Sequence, residues 1–116
     1  MMMNRPLVFI DVETTGLHPD KNHEIIEVAC IKVHPSGQEE RLYYKAMPES
    51  GDYDPIALEV NGYDYKEWEG AISQESLAYA LGGFLNGCTP VGHNIQFDVH
   101  FIQELWWKYD IKAGFD

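Results

Sequence analysis

The chain has 116 residues, with 8 Lys and Arg against 19 Asp and Glu for a formal net charge of −11, and 45% of its residues are hydrophobic. That length fits a single domain, 1–116, with enough apolar material for one core, which counts against intrinsic disorder. Cys30 and Cys88 have neither CxxC nor Cys/His ligand spacing, which rules out a disulfide framework and a cysteine zinc site and fits a reduced, cytoplasmic setting.

The apolar run after Pro6 stops at Asp11, far short of a signal-peptide core or a membrane span, so no membrane partner is expected. Residues 7–13 read as a strand buried on both faces at the centre of a sheet. A turn-rich stretch, residues 14–20, leads to a second strand over residues 24–33. The break His34-Pro35-Ser36-Gly37 is followed by a third strand over residues 40–45, and so short a link makes an antiparallel hairpin. Residues 49–75 are rich in acids with Lys66 as the sole cation, and read as a solvated connector despite Tyr53, Tyr63, Tyr65 and Trp68. Inside it, Pro55 and Gly62 bracket a short helix. Ser73 caps the next helix, whose Leu77, Ala80, Leu81, Phe84 and Leu85 recur at helical spacing up to a stop at Gly87. Residues 89–92 form a short fourth strand. A last helix runs from near Asn94 to about Tyr109, with Ile95, Val99, Ile102, Leu105 and Trp106 as its buried stripe. Trp106 and Trp107 read as ordinary helix packing.

Side chains alternate along a strand, so Asp11 and Glu13 share one face with Phe9. Neighbouring carboxylates at the end of a central strand repel each other and lose hydration, and a divalent cation is the economical remedy. An all-oxygen set suits Mg²⁺ or Mn²⁺. Thr14, Thr15, Gly16 and Leu17 follow directly, offering hydroxyls, a permissive backbone and one apolar side chain at the sheet edge, where ligands tend to bind. Asp98 falls early in the last helix, and Phe101, Ile102 and Leu105 at three, four and seven residues on turn it inward. If strands one and four are neighbours, Asp98 faces the same crevice as Asp11 and Glu13. The broad acidity counts against metal-free binding of nucleic acid, since that affinity comes largely from Lys and Arg.

Together these residues resemble the DnaQ-like 3′→5′ exonucleases of the DEDD superfamily, the family of the proofreading subunit of bacterial DNA polymerase III, RNase T and oligoribonuclease. Ile10-Asp11-Val12-Glu13-Thr14-Thr15-Gly16-Leu17 is similar to its first motif, and Val91-Gly92-His93-Asn94-Ile95-Gln96-Phe97-Asp98 to its second. Pro55-Ile56-Ala57-Leu58-Glu59-Val60-Asn61-Gly62 resembles the segment between them. The resemblance implies an α/β, RNase H-like exonuclease fold, a mixed sheet with antiparallel first three strands flanked by helices. It implies a metal-dependent enzyme releasing nucleoside monophosphates from single-stranded DNA or RNA 3′ ends. Two ions, Mg²⁺ or Mn²⁺, would serve the complete domain: Asp11 bridging both, Glu13 holding the one that activates water, and Asp98 supporting the second. Thr14, Thr15, Gly16, Leu17, His93, Asn94 and Phe97 would meet the substrate, and a polymerase or replication assembly would be a partner.

The family's third motif places a histidine base and, five residues later, a fourth carboxylate on a helix beyond the second motif, and only 18 residues follow Asp98. The domain therefore reads as C-terminally truncated, lacking its last strand and helix. Asp110, about 18 Å along the helix from Asp98, is too far to substitute. His100 is rotated about 200° from Asp98, and nothing in the sequence positions Asp116. The alternative is a noncatalytic or degenerate module that binds metal, nucleotide or a polymerase partner.

Overall fold

The computed structural model describes residues 4–116; Met1, Met2 and Met3, part of the segment read above as no signal peptide, lie outside the described residues. Seven elements follow in order: β1 (Leu7–Thr14), β2 (Ile25–Val33), β3 (Glu39–Lys45), α1 (Pro55–Val60), α2 (Gln74–Leu85), β4 (Thr89–Val91) and α3 (Ile95–Lys108), with a single 3₁₀ turn at Pro19–Lys21. The sheet order is β3-β2-β1-β4. β1, β2 and β3 form an antiparallel meander, and β4 joins β1 in parallel, so the sheet is mixed as expected. Among the described residues no helix is long and apolar enough to cross a membrane.

Local chemistry accounts for the helix limits. Asp54 caps α1 by accepting from the Ile56 N–H, with Pro55 following it. Ser73 caps α2 through the Ser76 N–H. Gly87, just past the end of α2, has φ +79°, a conformation a side chain would oppose.

Burial corrects the two-sided reading of β1. Val8, Ile10 and Val12 pack in one core with Leu77, Leu81 and Leu85 of α2 and Phe101, Ile102, Leu105 and Trp106 of α3. The opposite face is open along much of its length: Phe9 is 44% exposed and Asp11 is exposed. A continuous apolar run cannot tell two buried faces from one, because the neighbours are set by the rest of the chain. The stripe on α3 is also shifted. Asp98 and Phe101 are buried with Ile102, Leu105 and Trp106, whereas Ile95 and Val99 are only half-buried. On α2, Ala78 and Gly82 face the core in place of Ala80.

The connector is not wholly solvated. Trp68 is only 2% exposed, donates its indole N–H to the Ile26 carbonyl at 2.8 Å and meets the Tyr63 ring at a tilt, with the Lys45 ammonium over its own ring. Ile26 is the extra residue of a bulge in β2, since Glu13 pairs with Glu27 but Thr14 with Ile25. Trp106 is buried against Phe115, while Trp107 is 81% exposed. Asp116 is pinned at the amino-terminal end of β1, donating its N–H to the Cys88 carbonyl and pairing with Arg5, and so lies at the strand end opposite Glu13.

Candidate active site

β4 pairs only with Leu7, Val8 and Phe9, so the edge of β1 beyond it has no strand partner. Asp98 fills that gap: its Oδ2 accepts from the Val12 N–H at 3.0 Å, a contact across 86 residues that fixes the start of α3 against the end of β1. Gly92 lies in this turn, where a Cβ would sit 3.3 Å from the tip of the Ile95 side chain and in ordinary contact, at 3.4 Å, with the Ile10 carbonyl. The turn continues through Asn94 in the left-handed region at φ 53°.

The acids influence one another. Burial pushes the Asp98 carboxyl above its ordinary range, and the charge of Asp11 adds to the rise while the Val12 N–H opposes it. Burial likewise raises Glu13, with Asp11, Glu27 and Asp98 contributing in that order. Glu27 lies directly across from Glu13 and accepts from the Tyr43 hydroxyl, an acidic neighbour that sequence reasoning missed. Strand pairing would have exposed it once the register was known.

Among the described residues, no three His, Cys, Asp or Glu side chains are placed to hold a metal ion together. The donor set still has the chemistry for a hard divalent cation. It offers only oxygens, and both raised carboxyls would be relieved by positive charge, while Mg²⁺ takes much of its shell from water and substrate. Asp11 and Glu13 project from the open sheet face, and Asp98 comes in at the strand edge.

Beside Glu13 opens a groove of about 320 Å³, whose wall includes Thr14, Gly16, Leu17 and Phe97 from the two motifs. α1 makes the facing wall with Ile56, Ala57, Val60 and Asn61. Two bonds hold it there: the Asn61 side-chain N–H to the Thr14 carbonyl at 2.8 Å, and the Asp54 N–H to the Thr15 carbonyl at 2.7 Å. Leu17, Ile56 and Val60 are all well exposed, so the groove presents free apolar surface next to charge. The α1 residues were not among the expected site residues; the apolar helix closed by Asn61-Gly62 was the signal available.

Other expected contacts sit differently. Thr15 is buried behind the groove, its hydroxyl accepting from the Glu24 N–H at 2.8 Å, so it braces the loop and does not line the groove. The Thr14 hydroxyl donates to the Gly16 carbonyl. Gly16 lies against the His23 ring, where a Cβ would come within 2.2 Å of Nδ1. His93 and Asn94 are exposed on the β4–α3 turn, outside the groove wall. His100 is exposed beside Glu104, and Asp110 pairs with Lys112.

Comparison with known proteins decides the family. The RNase T exonuclease model matches residues 8–112. The chain belongs to the DnaQ-like exonuclease family. This exonuclease domain is 32% identical over 105 residues to the PolC-type DNA polymerase III of Mycoplasma pneumoniae, covering 90% of this chain and 7% of that protein. It is 31% identical over 115 residues to the 3′-5′ exonuclease DinG of Bacillus subtilis, covering 98% of this chain and 12% of that protein. The chain thus spans a small fraction of those relatives. In fold it matches Escherichia coli exonuclease I in complex with a dT13 oligonucleotide, with TM-score 0.76 at 18% identity over 90% of this chain and 24% of that one. The zinc-bound form of the exonuclease I–ssDNA complex matches with the same TM-score of 0.76. The exonuclease domain has the RNase H-like fold that its motifs implied.

Proposed function

We propose that this exonuclease domain hydrolyses phosphodiester bonds at the 3′ ends of single-stranded DNA or RNA in a metal-dependent reaction, releasing nucleoside monophosphates. The observation that carries the reading is the groove beside Glu13, walled by residues of both motifs. Asp11, Glu13 and Asp98 are the residues that would hold Mg²⁺ or Mn²⁺. Such ions supply an activated water and stabilise the charge that develops on the phosphate. Leu17 and Phe97 offer apolar surface to a terminal base, and α1, anchored by Asn61, closes the other side. Thr15 keeps the loop in register, and His93 and Asn94 stand at the turn that delivers Asp98.

A histidine base and fourth carboxylate would come from a helix outside these 116 residues, and a positioned base is worth about 10² to 10⁴ in rate. The 116-residue chain alone should therefore be a poor nuclease. A noncatalytic module is the second reading, favoured by the lack of a ready three-acid metal cluster among the described residues and by the charge of −11. The test uses 5′-labelled single-stranded DNA and RNA with Mg²⁺ or Mn²⁺, comparing the 116-residue chain with one extended through a His-x4-Asp helix. Stepwise 3′ shortening by the extended chain, lost in Glu13→Gln and without metal, supports the exonuclease. Binding of 3′ ends with no product from either chain supports the noncatalytic module.

A further inference from the structure

The loop that carries the first motif into β2 is closed at its base and tied again across its middle. At the base the Thr15 N–H donates to the Glu24 carbonyl at 2.8 Å, and the Thr15 hydroxyl accepts from the Glu24 N–H, also at 2.8 Å. Across the middle, His23 meets His18 twice. Its N–H donates to the His18 carbonyl at 3.3 Å, and its ring Nδ1 accepts from the His18 N–H at 3.0 Å. The 3₁₀ turn at Pro19–Lys21 brings the two together, with the Lys21 N–H donating to the same His18 carbonyl at 2.9 Å.

Leu17 is the residue this arrangement leaves to be placed. Its side chain is 66% exposed and forms part of the groove wall beside Glu13. Among the described residues its backbone has no hydrogen-bond partner. Its place is therefore set by its two neighbours, and each of them meets His23. Gly16 is buried against the imidazole, so close that a Cβ there would come within 2.2 Å of Nδ1, 2.4 Å of Cε1 and 2.6 Å of Cγ. His18 is held through its N–H by Nδ1 of the same ring. His23 itself is half-buried and lies outside the groove wall.

We propose that His23 is a positioning residue for the nucleotide groove, a neutral imidazole that fixes the Gly16–His18 segment through Nδ1 and so holds Leu17 ready for the terminal base of a 3′ end. The inference rests on the reading of the groove given above and adds to it a residue that acts from behind the wall. A backbone N–H can only donate, so the Nδ1 that faces His18 carries no proton and the ring proton sits on Nε2. Glycine at 16 gives the ring a flat surface to lie on, which any side chain would remove. A loop held in its bound shape before the nucleotide arrives spares the entropy of ordering it on binding. The effect therefore falls on affinity for the nucleotide.

The test has a spectroscopic arm and a binding arm, both on the ¹⁵N-labelled 116-residue chain. Ring ¹⁵N spectra at mildly alkaline pH should show His23 as the Nε2–H tautomer; a proton on Nδ1 would overturn the proposal, because such a ring cannot accept from His18. Binding is read at the Leu17 amide as a thymidylate tetramer with a free 3′ hydroxyl is added with Mg²⁺. His23→Phe keeps a ring over Gly16 but loses the acceptor, and should weaken binding about fivefold, as should His23→Ala. His23→Asn, whose Oδ1 takes the place of Nδ1 as acceptor, should bind within about twofold of the parent. His100→Ala, exposed on α3, should leave both the binding and the His23 signal unchanged. Full binding by the Phe variant, or an Asn variant no better than Ala, would overturn the role of His23 and leave the reading of the groove standing. A tetramer that does not move the Leu17 amide of the parent would overturn both.

Discussion

Removing the Asp98 side chain tests how the second motif is fastened to the first. Asp98→Ala strips the Val12 N–H of its acceptor at 3.0 Å in a buried setting where β4 has already ended. A hydrogen bond to a charged group is worth about 1.5–3 kcal/mol, and a buried N–H left bare costs about as much as the bond contributed. Alanine's better helix propensity returns about 0.5 kcal/mol, so the net loss should be about 2 kcal/mol. At roughly 4 °C per kcal/mol for a domain of this size, that is a fall of about 8 °C in Tm. Asp98→Asn keeps an acceptor and removes a charge that burial and Asp11 both oppose, so it should stay within about 1 kcal/mol of the parent. Calorimetry gives both values, and hydrogen exchange at the Val12 amide reports the bond itself. An alanine variant within about 0.5 kcal/mol of the parent, with Val12 still protected, would refute the reasoning.

Metal-free stability should fall as pH rises. Glu13 and Asp98 are raised from their ordinary 4.5 and 3.8, so in this range the folded state binds protons more tightly than the unfolded chain. The stabilisation is greatest below the ordinary values and is lost as pH climbs through the raised ones; Glu13→Gln should flatten that slope in a Tm series without divalent ions. Trp68→Phe removes the bond to the Ile26 carbonyl and part of a buried ring, and should cost about 1–2 kcal/mol by chemical denaturation, where a solvated connector would give nearly zero. Gly16→Ala forces a methyl to within 2.2 Å of the His23 ring and should cost about 1–3 kcal/mol. Part of that loss should return in the double variant with His23→Ala.

Much of this arrangement was legible because it rests on short-range rules. Ser73, Pro55 and Gly87 act where capping and left-handed geometry require them. The tight break after β2 gave the hairpin, and the inward turn of Asp98 followed from its spacing to Phe101, Ile102 and Leu105. What the sequence hid depends on distant neighbours. The open face at Phe9 reflects both long helices packing on the other side of β1. Trp68 was masked by the acids around it, although one indole anchored on a bulge carbonyl is enough to fold the connector back. Thr15 and Gly16 both lie in the first motif, yet only the fold shows that Thr15 faces Glu24 while Gly16 borders the groove. The role of α1 rests on Asn61 reaching Thr14 across 47 residues, which no local pattern encodes.

The proposal that Asp11, Glu13 and Asp98 together hold a metal ion is tested most directly by paramagnetic broadening. Sub-stoichiometric Mn²⁺ added to the ¹⁵N-labelled chain should broaden the amides of residues 11–14 and 97–99 first, and Asp11→Asn should abolish the effect. Broadening centred instead on Asp52 and Asp64 in the acidic connector, or unchanged by Asp11→Asn, would contradict it.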